Sequence, residues 1–109
     1  MGQNFASSIT NIGGAFAALN ITAAKVIKAT PGTVMRIIVQ TVPSAGSLTI
    51  NDNNATGGTN VAANQIYTAL FGTTPLLVAG TIITLECPCL TGITVSSVGT
   101  GGVYVITYN

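Results

Sequence analysis

Histidine and tryptophan are absent from this 109-residue chain, and only Lys25, Lys28, Arg36, Asp52 and Glu86 carry charge. Charged residues make up 5% of the chain, against roughly 25% in an ordinary soluble domain. Without histidine, the commonest general base and metal ligand is missing. Two carboxylates in separate segments make a poor acid/base pair, and three scattered cations give no cluster for phosphate. Nucleic acid is therefore not an expected partner. No apolar run approaches the ~18 residues of a spanning helix, because Thr and Gly interrupt every stretch, so no membrane span is expected. Residues 1–19 lack a basic start and a continuous apolar middle, which argues against a signal peptide and for synthesis in the cytoplasm.

The two cysteines occur as Cys87-Pro88-Cys89. Two thiols without histidine cannot close a zinc site. A disulfide between residues two apart in a strand is strained, because their side chains run parallel. Buried free thiols acting as small hydrophobes fit better. The segment Asp52-Asn53-Asn54-Ala55-Thr56-Gly57 opens like a calcium loop, but Ala63 stands where the bidentate acid belongs. A turn-capping role suits Asp52 better, and a solvated or lysine-paired position suits Glu86. No cofactor, metal or catalytic residue is expected.

What is abundant is strand and turn. In Thr33–Thr41, Met35, Ile37 and Val39 share one face, with Arg36 and Gln40 opposite. Leu48 and Ile50 alternate with Thr49 and Asn51. Ile83, Leu85, Cys87 and Cys89 share a face opposite Ile82, Thr84 and Glu86. Ile93 and Val95 continue the pattern. The last strand, Val103–Tyr108, is apolar on both faces, so it belongs in the middle of a sheet or against another subunit. Pro31-Gly32, Pro43–Gly46, residues 51–60 and Gly99–Gly102 are turn signals. The stretch 64–74 reads as either a strand or a helical turn. Short strands at regular intervals predict an all-β fold, a single antiparallel β-sandwich over residues 20–109.

Residues 1–19 form an N-terminal arm in this reading. Phe5, Ile9, Ile12, Phe16 and Leu19 fall at helical spacing, but Gly13-Gly14 lies among them and costs a helix roughly 2 kcal/mol. Three readings stay open: a frayed end, an extra strand beginning near Ala15, or an arm that orders on a partner. In the last, Phe5, Ile9, Ile12 and Phe16 are the partner-binding residues.

One family shares the order of these segments. Ala24–Gly32 precedes the arginine-bearing strand Val34–Val39. Gly46–Asp52, Ala79–Ile83 and Gly92–Val95 follow, and Gly99–Val105 closes the series. This order resembles the capsid decoration, or cement, proteins of tailed bacteriophages, which are jelly-roll sandwiches. The resemblance implies a structural virion protein on the outer surface of the capsid, made in the host cytoplasm. It implies the major capsid protein as partner, self-association as a dimer or trimer, and no catalytic residues. Phage fibre, tail or baseplate modules that attach to host surfaces carry similar patterns and form the alternative. A sugar-binding version of that alternative needs exposed aromatics, and Tyr67, Tyr104 and Tyr108 are the candidates.

Overall fold

Period-two alternation produces strands here, and a computed structural model describes them over residues 14–71 and 78–109. The strands are β1 (Phe16–Ile21), β2 (Lys25–Lys28), β3 (Gly32–Thr41), β4 (Gly46–Asn51), β5 (Gln65–Phe71), β6 (Ile82–Cys89), β7 (Ile93–Val98) and β8 (Val103–Tyr108). A 3-10 turn, Ala62–Asn64, leads into β5, so the ambiguous stretch is strand from Gln65 to Phe71, and residues 72–74 lie outside the described residues. One sheet has the order β1-β8-β3-β6 and the other β2-β7-β4-β5, with every neighbour antiparallel. The first strand pairs with the last, the second with the seventh, the third with the sixth and the fourth with the fifth. Successive pairs fall alternately in the two sheets. This nesting is that of a paired ribbon rolled over on itself into a sandwich of two sheets.

The two inner faces meet in one core. Val34, Ile37, Val39, Leu48, Ile50, Ile93, Val95, Tyr104 and Ile106 are completely buried there. Each such side chain stabilises the fold by roughly 1.5–3 kcal/mol through removal from water. Tyr104 reaches across the core and donates its hydroxyl to the Val98 carbonyl at 2.9 Å, so its one polar atom is satisfied. Met35 departs from the expected alternation. The register of β3 shifts between Val34 and Arg36, which puts Val34, Ile37 and Val39 in the core and leaves buried Met35 outside it. The Thr107 hydroxyl serves the irregular backbone, accepting from Arg36 N–H at 3.1 Å. A bulge of this kind changes which side chains face inward without ending the strand.

The expected boundary between arm and sandwich at residue 19 falls inside β1. Phe16, Ala17 and Ala18 pair with Tyr108, Thr107 and Ile106, and Ile21 joins the core. Pairing wins over the helical stripe because β8 offers a row of backbone donors and acceptors, whereas a short helix containing two glycines offers little. Gly14, at φ 104°, delivers the chain to this strand, and Ala15 N–H is anchored on Asn109 Oδ1 at 2.7 Å. Phe5, Ile9 and Ile12 lie outside the described residues.

Candidate functional site

Several strands carry apolar doublets: Ile37-Ile38, Ile82-Ile83 and Val105-Ile106. In each, one member enters the core and the other must point outward. The outward members meet. Val105 is paired with Ile38, and Ile38 with Ile82, while the register shift between Ala18 and Ile21 puts Leu19 and Asn20 opposite Val105. The result is an apolar band across all four strands on the outside of the β1-β8-β3-β6 sheet. Leu19 is 67% exposed and Ile82 58% exposed at its two ends, and Val105 is buried between its neighbours. Arg36, Thr84 and Thr107, joined through the register Arg36↔Thr84 and Arg36↔Thr107, border it. The two-faced β8 is thus central in its sheet, and its outward residues lie in a surface row.

Phe16, the one predicted partner-binding residue among those described, is 57% exposed. It lies at the start of β1, tilted over Tyr108 with ring centroids 5.5 Å apart. It therefore sits at the rim of the sandwich rather than in the band. Sequence reasoning missed Leu19, Ile38, Ile82 and Val105 as a set. The doublets were the available signal, but only the strand order brings them together.

Of the remaining chemistry-bearing side chains, Asp52 and its asparagine neighbours have structural partners. Asp52 accepts from the backbone N–H groups of Leu90 (2.9 Å), Thr91 (2.8 Å) and Gly92 (3.3 Å). Burial opposes its ionisation, but these three bonds outweigh that and hold its carboxyl below the usual value. Asp52 thus caps a turn, as expected, but the turn is the distant one between β6 and β7. Gly92 is required there for space: a β-carbon would approach the carbonyl oxygens of Lys28 and Asn53 to 2.6 and 2.7 Å. The start of the calcium-like loop is filled by the Asn53 amide, which donates to Ala55 O, Thr59 Oγ1 and Asn60 Oδ1. Buried Asn51 ties the end of this loop down, donating to Asn64 Oδ1 (2.6 Å) and Val61 O (3.1 Å) and accepting from Ser96 Oγ (2.6 Å).

Both cysteines are free thiols, Cys89 buried and Cys87 half-buried. Burial, with a smaller effect of the Asp52 charge, pushes the Cys89 thiol up to about 12, which keeps it protonated and unreactive. Glu86 is exposed at a left-handed φ of 49°, the irregular point of β6. Among the described residues no three His, Cys, Asp or Glu side chains gather, no cavity opens, and no helix is long and apolar enough to cross a membrane. Comparison with known protein families, with curated proteins and with solved structures gives no match.

Proposed function

We propose that this chain is a structural virion protein that decorates the outer surface of a bacteriophage capsid and clamps neighbouring major capsid protein subunits. The observation that carries the reading is the apolar band Leu19–Val105–Ile38–Ile82 on a surface almost without charge. Such a face is desolvated at low cost against a partner, and repetition over a lattice makes a modest contact effective. The rolled, paired order of strands agrees with the resemblance to jelly-roll decoration proteins, and the backbone donors on Asp52 and the burial of Cys89 leave neither group poised for catalysis.

The host-attachment alternative draws less support. Tyr104 is fully buried, Tyr67 packs against the core, and Tyr108 packs there too beneath Phe16. Tyr104 offers no ring to a sugar, and the rings of Tyr67 and Tyr108 are only half exposed.

A matched pair of substitutions tests the band. Ile82→Asp places a carboxylate in it, whereas Leu90→Asp places the same charge at the β6–β7 turn, where Leu90 is 82% exposed. Shells lacking the protein are mixed with each variant and the bound fraction is measured. Ile82→Asp is expected to weaken attachment about tenfold or more, since a carboxylate would be desolvated without a partner. Leu90→Asp should bind like the unaltered protein. Equal binding by the two variants would contradict attachment through the band.

A further inference from the structure

Each sheet has two edge strands, and three of the four edges are blunted. β1 is interrupted by the shift between Ala18 and Ile21, with Asn20 at a left-handed φ of 55°. β2 is four residues long, begins and ends in lysine, and is itself irregular between Val26 and Lys28. β6 carries Glu86 at its irregular point and Pro88 two residues on, which has no N–H to donate. Short length, lysine, proline and bulges are the devices by which proteins prevent edge-to-edge pairing.

β5 carries none of these along most of its length. Its one irregularity lies at the start, where Gln65 pairs with Asn51 and Tyr67 with Ile50. From Tyr67 to Phe71 the pairing with β4 is continuous, and the sequence Tyr-Thr-Ala-Leu-Phe has no charge, proline or glycine. Among the described residues β5 has β4 as its sole strand neighbour. Alternate residues therefore turn their N–H and C=O groups away from the sheet, and such groups require partners.

We propose that β5 pairs antiparallel with β5 of a second copy, joining the β2-β7-β4-β5 sheets of two subunits into one continuous eight-stranded sheet. The occupant follows from the contrast among edges. A blunted edge accepts a strand poorly, so the edge best suited to β5 is its own counterpart, which brings no opposing charge. Antiparallel self-pairing is isologous and closes at two copies. The surface lies in the sheet opposite the apolar band, so a dimer joined this way keeps both bands free. The proposal gives the self-association in the shell reading a surface, but it does not rest on the shell, because its test uses the isolated protein.

Thr68 is exposed in the middle of this strand, and its counterpart in the second copy would lie within a diagonal neighbour's distance. The experiment measures the mass of the free protein against concentration for the unaltered chain, for Thr68→Lys, for Thr68→Glu, and for an equimolar mixture of the two variants. Far-ultraviolet circular dichroism and melting confirm that each is folded. The unaltered protein should be a dimer. Each variant alone should dissociate at about tenfold higher concentration or more, and the mixture should recover dimers through opposite charges. Amide hydrogen exchange of residues 67–71 should slow with concentration in the unaltered protein and in the mixture, and in either variant alone only at correspondingly higher concentration. A monomer at all concentrations, a trimer, or a dimer equally tight in both variants and their mixture would overturn the proposal. Failure of the band substitutions to affect shell binding would leave this result untouched.

Discussion

One carboxylate joins two loops that are about forty positions apart in the chain. Asp52 follows β4, yet the three N–H groups that it accepts from belong to the turn between β6 and β7. Nothing near Asp52 in sequence names those partners. Its neighbours Asn53 and Asn54 point to a turn, and the calcium-like spacing draws attention to the wrong side of the loop. Replacing Asp52 with alanine removes the acceptors of all three groups and should lower stability by about 1–2 kcal/mol, the scale of a lost capping carboxylate. The folded state holds the Asp52 carboxyl below its ordinary value, so its contribution is complete above the unfolded value of about 3.9 and disappears as pH falls through the lower, folded value. Thermal unfolding of Asp52→Ala beside the unaltered protein should show a gap at neutral pH that narrows in acid. A gap of constant size down to about pH 2 would mean that the charge of Asp52 is not what holds the turn.

At the scale of elements, most strands can be read directly from alternation. Leu48 with Ile50, and Ile83 with Leu85 and Cys89, face the core as their spacing requires. Three details could not be read that way. Met35 leaves the core because the shift in β3 depends on pairing with both β6 and β8. Residues 16–19 are strand because β8 lies beside them, a long-range fact that overrides a local helical stripe. The apolar band becomes visible only when Ile38, Ile82 and Val105 are set in register. Of the candidate partner-binding set, Phe16 is exposed at the rim, and Phe5, Ile9 and Ile12 lie outside the described residues. Ala15 is anchored on Asn109, which fixes the chain at the entry to β1. Deleting Gly2 to Asn11 should therefore leave the melting temperature nearly unchanged. Burial of a Phe or Ile on a partner is worth roughly 1.5–3 kcal/mol, so the same deletion should weaken attachment to shells. If the shortened protein attaches as tightly as the full chain, the arm has no part in binding and the band alone must account for it.

On the scale of the whole molecule, the proposed role draws on composition and topology together. Two antiparallel sheets enclose one core, the polar cover of Thr, Asn, Ser and Gln brings little charge to any contact, and an apolar row crosses one outer face. These properties suit a protein that is placed many times on a repeating surface and performs no reaction there. The alternative proposed role, a fibre, tail or baseplate module, differs in the number of copies expected. Counting copies in purified particles, by quantitative mass spectrometry against the major capsid protein, is the most direct test. The decoration account predicts on the order of hundreds of copies per particle, in a fixed ratio to the shell subunit set by lattice symmetry. About ten copies or fewer, retained with detached tails rather than with shells, would contradict it.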